Sequence, residues 1–314
     1  MAFVTSDLAQ RIASMPPAPQ RAFSSDNAAG AHPAVIEAIV AANSGHALAY
    51  GADPWTAEVE ASFRDLFGPT SEAFLVWNGT GANVMALATM VQPADFVLCS
   101  EWAHIAVDET GAPERALGAK IVPVPAPEAK LHPDQIDALV RFQGDMHHAQ
   151  PGVVSITQST ELGTVYTPDE VAALCDAAHR LGMVVHMDGA RVANATAALG
   201  GTTAALRSFT VDAGVDVLCF GGTKAGLAGG EAVVFLNPAL ARRAKYVRKQ
   251  VNQLPSKMRF VAAQFSALLD GDRWIHLAEH ANSMSTRLYQ LTSDIPSVTH
   301  AGPRGSVHQA VAET

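Results

Sequence analysis

Residues 183–191 read M-V-V-H-M-D-G-A-R, a continuous apolar run that ends on an aspartate and, three residues later, an arginine. An apolar run without alternation is typical of a strand that helices cover on both faces. Similar runs occur near residues 72–77, 95–100, 119–124, 152–158, 215–221 and 231–236. Helical patterns separate them, so the sequence predicts an α/β fold. Its mostly parallel central sheet, flanked by helices, should cover about residues 45–240.

One helix has a clear start signal. Thr167 stands at the predicted N-cap, Pro168 at the first helical position and Glu170 at the third. This is a capping box with proline in the position that tolerates it. We therefore expect a helix over residues 168–181, ended by Gly182.

Other segments show where the strand–helix alternation begins and ends. Amphipathic patterns predict helices over residues 33–42 and 56–67, and residues 238–292 have a helical pattern throughout. The proline-rich stretch 14–20 predicts an irregular arm instead of a helix.

Composition narrows the class of protein. The 314 residues are 48% hydrophobic and 16% charged and carry a net charge of −9 without a basic block, which argues against nucleic acid or an anionic membrane as partner. The low charged fraction also suggests an oligomer. The three cysteines, Cys99, Cys175 and Cys219, match no disulfide or zinc spacing, so we expect reduced core residues and no metal site. With no signal-peptide pattern and no apolar stretch of membrane-spanning length, we expect a soluble cytoplasmic protein.

Asp188 and Arg191 follow the apolar strand at the edge where ligands bind in such sheets. An aspartate there is costly unless its charge is used, for example beside a protonated pyridine nitrogen. Arg191 could bind a carboxylate through two nitrogens. A purely structural alternative remains open, in which Asp188 caps the next helix and pairs with Arg191.

Lys224 lies in the glycine-rich stretch 221–230, G-G-T-K-A-G-L-A-G-G, directly after an apolar strand. Small neighbours allow a bulky planar group to approach the backbone, and a lysine shielded from bulk solvent can act as a Schiff-base nucleophile. An exposed loop lysine is the alternative. A nucleotide-binding P-loop is excluded because its G-x-x-x-x-G-K-[ST] spacing is absent.

Three further segments carry candidate binding or catalytic groups. The turn N-G-T-G-A-N at 78–83 links a strand to a helix, and free N–H groups there could hold one phosphate. His104 lies just past the strand 95–100, where its ring could stack on a cofactor or move a proton. His147, before the strand 152–158, is a second candidate for proton transfer. Each of these signals is weak by itself, and a structural or solvated histidine is the alternative in both cases.

The order of these groups is more specific than any one of them. A phosphate cradle, a histidine, a strand-end aspartate and a lysine 36 positions later follow the order of pyridoxal-phosphate enzymes of fold type I. The chain resembles the low-specificity threonine aldolases of the β-eliminating lyase group over about residues 23–292. The stretches that carry this resemblance are F-S-S-D-N (23–27), Y-G-A-D-P-W (50–55), N-G-T-G-A-N (78–83), C-S-E-W-A-H-I (99–105), H-M-D-G-A-R (186–191), C-F-G-G-T-K (219–224) and S-K-M-R-F-V-A-A-Q-F (256–265).

The resemblance implies pyridoxal 5′-phosphate as cofactor, bound by Lys224 as a Schiff base. It places Asp188 at the pyridine nitrogen and His104 over the ring.

The resemblance also implies the remaining contacts. The cofactor phosphate would be bound by Gly79, Thr80 and Gly81, with Lys249 and Arg259 from a neighbouring subunit. The substrate carboxylate would be bound by Ser25 and Arg191. His104 and His147 would handle the proton of the β-hydroxyl group.

The implied activity is retro-aldol cleavage of β-hydroxy-α-amino acids, with L-threonine or L-allo-threonine giving glycine and acetaldehyde in a homotetramer or dimer. The implied domains are an arm at 1–22, a large cofactor-binding α/β domain at 23–255, and a helical linker with an incomplete small domain at 256–314. Relatives carry another substrate-binding arginine in that small domain, and Arg304 lies in a different context. We therefore expect cofactor binding with impaired turnover.

Other functions remain open at the level of sequence. A different β-eliminating lyase or a phenylserine-type aldolase would share the same chemistry, since the pocket that selects the side chain is not visible in the motifs. A catalytically weak protein that binds the cofactor and serves in an oligomer is a further alternative. A nicotinamide-dependent enzyme is disfavoured because no G-x-G-x-x-G follows an early strand.

Overall fold

The structure is a computed structural model that describes residues 6–17, 25–300 and 312–313. A seven-stranded sheet forms the centre of the molecule, in the order β1-β7-β6-β5-β4-β2-β3. Its strands are β1 Glu72–Val76, β2 Asp95–Ser100, β3 Lys120–Val124, β4 Gln150–Thr157, β5 Val184–Gly189, β6 Val217–Gly221 and β7 Glu231–Phe235. Strands β3, β2, β4, β5 and β6 run parallel, and β7 runs antiparallel to both of its neighbours. The predicted α/β fold with a mostly parallel sheet is confirmed.

The helices lie on both faces of this sheet. They are α1 Ser6–Ala13, α2 Pro33–Ala42, α3 Pro54–Phe67, α4 Gly79–Met90, α5 His104–Val107, α6 Ala112–Leu117, α7 Pro133–Asp137, α8 Pro168–Arg180, α9 Val192–Ala198, α10 Thr203–Ser208, α11 Ala244–Gln250, α12 Arg259–Leu269 and α13 Arg273–Thr292. The predicted capping box of α8 is confirmed. The Glu170 N–H donates to Thr167 Oγ1 at 3.2 Å, and the Thr167 N–H donates to Glu170 Oε2 at 2.7 Å.

Two apolar clusters fill the space between sheet and helices. The larger one surrounds Phe63 of α3, whose ring meets the edges or faces of Phe220 and Phe265 at centroid distances of 5.4 and 5.7 Å. The smaller one lies on the opposite face and joins α4 and α11 to the strands. Because both faces are covered, the strands are mostly apolar, and many polar groups collect at their ends. Ser155 of β4 and His186 of β5 are buried exceptions, with Oγ and Nδ1 2.9 Å apart.

The last helices pack on this body. In α13, Asn282 accepts a hydrogen bond from Asn194 of α9 at 2.8 Å. A two-residue strand, β8 Thr299–His300, pairs with β9 Ala312–Glu313. Arg304 lies outside the described residues, and the predicted division into domains stays a prediction.

Two further predictions concern cysteines and the amino-terminal arm. Cys99, Cys175 and Cys219 are free and buried, as predicted. Residues 14–17 are not helical, although α1 precedes them, and the rest of the proline-rich stretch lies outside the described residues. Among the described helices, none combines the length and apolarity needed to cross a membrane.

Candidate active site

A cavity of about 250 Å³ opens at the carboxyl ends of the parallel strands, where ligands bind in sheets of this kind. The chain segments that follow β2, β4, β5 and β6 contribute to it, together with the first turn of α4. Its polar and charged lining residues are Asn27, Asn78, Thr80, Asn83, His104, Thr157, Glu161, Asp188, Arg191, Thr223, Lys224 and Glu231.

Lys224 reaches this cavity from a short 3-10 turn after β6. The turn packs tightly on the segment that follows β5, because a Cβ atom at Gly221 would come within 2.3 Å of the Ala190 carbonyl oxygen. The Gly222 N–H donates to the buried carboxylate of Glu231 at 2.6 Å and thereby anchors the turn. Glycine at position 221 is thus what allows Lys224 and the end of β5 to share one cavity.

Asp188 is buried at the end of β5 and is held by two donors. The Ala190 N–H donates to its Oδ1 at 2.9 Å, and Nδ2 of Asn83 donates to its Oδ2 at 2.8 Å. Arg191 does not pair with it. Arg191 donates to Asp26, from Nε at 2.6 Å and from Nη2 at 3.2 Å. The alternative in which Asp188 and Arg191 form a local ion pair is therefore wrong.

A polar chain connects Asp188 with His104. The amide of Asn83 donates to Glu109 at 2.9 Å as well as to Asp188, and the same Glu109 oxygen lies 2.9 Å from Nδ1 of His104. This hydrogen bond to Glu109 raises the pKa of His104, while burial raises the pKa of Glu109. The histidine ring is therefore oriented by an acid that sequence analysis did not single out.

The predicted phosphate cradle is the first turn of α4. Asn78 is its N-cap, and its side chain accepts the Gly81 N–H at 2.8 Å. Gly79 and Thr80 line the cavity, whereas Gly81 is not among its lining residues. The backbone N–H groups of Gly79 and Thr80 stand at the positive end of the helix, where an anion is stabilised.

Two more acids, the half-buried Glu161 and the buried Glu231, line the cavity and were missed in the sequence. Burial raises the pKa of Glu161 to about 7 and that of Glu231 to about 7. Each acid stands next to an apolar strand, one after β4 and one at the start of β7. An acid in that position is the only sequence signal that points to them.

The structure does not bring His147 into this cavity. The residue is exposed in the turn before β4, where its N–H donates to Asp145 at 2.9 Å. The cavity lies beyond the opposite end of that strand, and eight extended residues span about 23 Å. Within one chain, this distance argues against His147 as the group that moves a proton in this site.

Three other predicted residues also lie outside the cavity lining. Ser25 caps a 3-10 turn by accepting the Asn27 N–H at 3.1 Å, next to the Asp26 that binds Arg191. Nζ of Lys249 lies 5.0 Å from the ring centroid of Tyr50. Arg259 donates to the Gly45 carbonyl at 3.3 Å. Their predicted roles in binding stay predictions.

Comparison with known proteins gives concordant results. A family model described as β-eliminating lyase matches residues 22–313. A low specificity L-threonine aldolase from Pseudomonas aeruginosa is 46% identical over 278 residues, which cover 88% of this chain and 80% of that protein. The Leishmania major threonine aldolase structure superposes with a TM-score of 0.84 at 28% identity, covering 90% of this chain and 82% of the other.

A more distant structure agrees in fold. The aspartate aminotransferase from Thermus thermophilus superposes with a TM-score of 0.67 at 14% identity, covering 88% of this chain and 73% of the other. At that identity the likeness concerns the fold alone. Together these neighbours confirm the predicted fold-type-I architecture.

Proposed function

The chain belongs to the β-eliminating lyase family, and we propose that it is a carbon–carbon lyase that cleaves β-hydroxy-α-amino acids. The proposed substrates are L-threonine and L-allo-threonine, which give glycine and acetaldehyde when the bond between Cα and Cβ breaks. One observation carries the proposal. In a chain 46% identical to a low specificity L-threonine aldolase, the start of α4, His104, Asp188 and Lys224 line one cavity.

Membership of this family implies pyridoxal 5′-phosphate as cofactor. The cavity residues fit such a group, because Lys224 supplies an amine and Asp188 an oriented carboxylate. Oδ1 of Asn83 and Oε2 of Glu161 are buried there without a hydrogen-bond partner among the described residues. Buried polar atoms are nearly always paired in folded proteins, so these two atoms favour a polar ligand that completes the site.

Each of these groups would hold a different part of the cofactor. Lys224 would bind it covalently through Nζ, and Asp188 would stabilise a proton on the ring nitrogen. Gly79 and Thr80 would bind the phosphate at the positive end of α4, whereas the N–H of Gly81 is already used by Asn78. When bound, pyridoxal 5′-phosphate supplies an electron sink for the electron pair of the breaking bond.

The substrate would be oriented by Arg191 and Ser25 through its carboxylate. Asp26 binds Arg191 through Nε and Nη2, which leaves the Nη1 side of the guanidinium for that carboxylate. His104 would stack on the cofactor ring and take the β-hydroxyl proton. Its Nδ1 faces Glu109, so Nε2 is the nitrogen that remains for this task. A general base of this kind contributes on the order of a hundred- to ten-thousand-fold in rate.

The proposal includes a homo-oligomer, a dimer or a tetramer, in which Lys249 and Arg259 help to bind the phosphate of a neighbouring subunit. The segment that these two side chains contact exposes large apolar groups, with Leu48 72% and Tyr50 53% exposed. Contiguous exposed apolar groups favour a contact between subunits. Free cysteines fit a reducing compartment, so we place the protein in the cytoplasm.

Mapping of the cofactor-binding lysine tests the central assignment. Purified protein should be yellow, and borohydride reduction followed by peptide mapping should find the cofactor attached to Lys224. Lys224→Ala should abolish the absorbance band, whereas Lys257→Ala, which changes an exposed lysine outside the cavity, should leave it unchanged. A label on another lysine would contradict the assignment.

A product assay tests the reaction. With L-threonine and L-allo-threonine we expect glycine and an aldehyde. A keto acid and ammonia would instead indicate an eliminating lyase, and exclusive cleavage of phenylserine would indicate the aromatic aldolase. A protein that binds the cofactor yet turns over none of these substrates would support the alternative of an inert, cofactor-binding oligomer.

A further inference from the structure

Glu161 lines the cavity and has no role assigned so far. Among the acids that line the cavity in the described residues, it is the one with a buried carboxyl oxygen that lacks a hydrogen-bond partner. It follows β4 and lines the cavity together with Thr157, Asp188 and Lys224. Its Oε1 accepts two hydrogen bonds, from Oγ1 of Thr157 at 2.9 Å and from the backbone N–H of His104 at 2.9 Å. The carboxyl group is thus held in one orientation by two segments of the site.

The second oxygen of Glu161, Oε2, is buried and has no hydrogen-bond partner among the described residues. A buried carboxyl oxygen without a partner is strongly unfavourable, and more so when it is charged. Protonation relieves this penalty, because a neutral carboxyl group can donate a hydrogen bond from that oxygen. The arrangement therefore favours a donor that points at an acceptor on a bound ligand.

The surroundings of Glu161 also favour its protonated form. Burial is the main reason why the pKa of Glu161 rises to about 7, and the carboxylate of Asp188 adds to it. The titratable and charged groups that line the cavity beside it, or interact with it electrostatically from neighbouring elements, are Cys99, His104, Tyr166, Asp188, Arg191, Lys224 and Glu231. The cations among them do not offset the combined effect of burial and Asp188, because the pKa of Glu161 remains raised to about 7.

The order of the strands indicates which part of the cofactor Glu161 would meet. The proposed phosphate cradle follows β1, Asp188 ends β5, and Glu161 follows β4, on the side of Asp188 that faces away from β1. In pyridoxal 5′-phosphate, the phosphate arm and the ring oxygen at position 3 lie on opposite edges of the ring. With the ring nitrogen at Asp188 and the phosphate at α4, the edge that carries this oxygen faces β4.

We propose that protonated Glu161 binds the cofactor by donating a hydrogen bond from Oε2 to the ring oxygen at position 3. The inference rests on the proposed function and deepens it by adding a cofactor-binding residue. It predicts how substitutions at position 161 change cofactor binding. Glutamine is close in shape and donates from an amide at every pH, whereas leucine fills the space without donating.

The experiment measures cofactor binding instead of turnover. Apoprotein of wild type, Glu161→Gln, Glu161→Leu and the control Glu101→Gln is titrated with pyridoxal 5′-phosphate between pH 6 and 9, with visible spectra recorded. Glu101 is an exposed acid outside the cavity. We expect Glu161→Leu to bind about tenfold more weakly than wild type at pH 6, the effect of losing one net hydrogen bond. Wild-type affinity should fall relative to Glu161→Gln as the pH rises through about 7.

Several outcomes would overturn the proposal. Binding by Glu161→Leu within twofold of wild type at pH 6, with an unchanged spectrum, is one of them. An unchanged ratio of wild-type to Glu161→Gln affinity across the pH range is another. If Glu161→Leu does not fold, the pH dependence of cofactor affinity in wild type relative to Glu161→Gln decides the test. Wild type that binds no cofactor would refute the proposed function itself, whereas normal binding that ignores residue 161 refutes only this inference.

Discussion

Replacement of Asn83 by leucine is the sharpest test of how the site is held together. Its amide nitrogen donates to Glu109 at 2.9 Å and to Asp188 at 2.8 Å, and all three side chains are buried. Leucine is close to asparagine in size but donates no hydrogen bond. The substitution therefore leaves two neighbouring carboxyl groups each short of one donor and facing each other without the amide between them.

The expected loss of stability follows from these two contacts. A hydrogen bond to a charged group contributes roughly 1.5–3 kcal/mol, so two of them set an upper limit of about 3–6 kcal/mol. Burial of the leucine side chain offsets this loss by roughly 1.5–3 kcal/mol. We therefore expect a net loss of about 1.5–3 kcal/mol at pH 8.

The loss should be smaller at pH 5.5. Burial already raises the pKa of Glu109, and removal of the Asn83 donor raises it further, so the folded variant binds a proton more readily than the unfolded chain does. Folding that takes up protons becomes less favourable as the pH rises. The difference in unfolding free energy between wild type and variant should therefore grow by at least about 1 kcal/mol between pH 5.5 and pH 8.

The assay is urea denaturation of the apoprotein, followed by circular dichroism at both pH values. Asn194→Leu is the matched control, because that amide donates to a neutral partner, Asn282, at 2.8 Å. It should cost about 1 kcal/mol at either pH. A loss below about 0.5 kcal/mol for Asn83→Leu at pH 8, or a loss as independent of pH as that of the control, would refute the reasoning.

Two further predictions concern Asp26 and Glu231. Asp26→Asn removes the charge that holds Arg191. In steady-state kinetics we therefore expect KM for L-threonine to rise about tenfold, with kcat changed less than threefold. An unchanged or lower KM would contradict the role of Asp26. Burial raises the pKa of Glu231 from 4.5 to about 7. The folded apoprotein therefore holds a proton that the unfolded chain releases, and its free energy of unfolding falls by about 3 kcal/mol as the pH rises through that window. Glu231→Gln should remove this pH dependence of the free energy of unfolding. Urea denaturation at pH 5 and pH 8 should show the stability difference shifting in favour of the variant at the higher pH. A constant difference would show that Glu231 is charged throughout.

The balance of charge in the cavity explains why these acids matter for the proposed function. Asp188, Glu161 and Glu231 line it, and Glu109 accepts a hydrogen bond from the lining residue Asn83. Burial raises the pKa of Glu161 and of Glu231 to about 7, so both acids are partly protonated near neutral pH, and it raises the pKa of Glu109 as well. Each carboxylate oxygen of Asp188 accepts one hydrogen bond, from Asn83 and from Ala190, which fixes the orientation of the group. Its remaining lone pairs can still accept a hydrogen bond from a protonated ring nitrogen.

Much of the fold could be predicted because its signals are local. Apolar runs marked all seven strands of the sheet to within about two residues, since strands buried on both faces are built mostly from apolar side chains. The start of α8 was predicted to the residue, because Thr167 and Glu170 satisfy each other's backbone N–H groups three positions apart. Both β4 and β6 begin two residues from the predicted start, because β4 pairs with β2 from Gln150 and β6 pairs with β5 and β7 from Val217.

The site was predicted only in part, because only some of its residues carry a local signal in the sequence. Sequence alone pointed to Lys224, Asp188, His104 and the turn before α4, because each stands directly after an apolar strand and such ends meet at one edge of a parallel sheet. His147 also stands beside a strand, but at its amino end, and only the direction of β4 decides that this end lies away from the cavity.

What the tertiary structure alone decided is the pairing of groups that are distant in sequence. Asn83 and Asp188 are 105 positions apart and Asp26 and Arg191 are 165 apart, and no periodicity records such contacts. They depend on the order of strands and on where helices pack against them. The sequence by itself thus determined which residue types reach the edge of the sheet and which cofactor they favour. The structure decided which acid orients His104, which one holds Arg191, and which cavity-lining acid has an oxygen without a hydrogen-bond partner among the described residues.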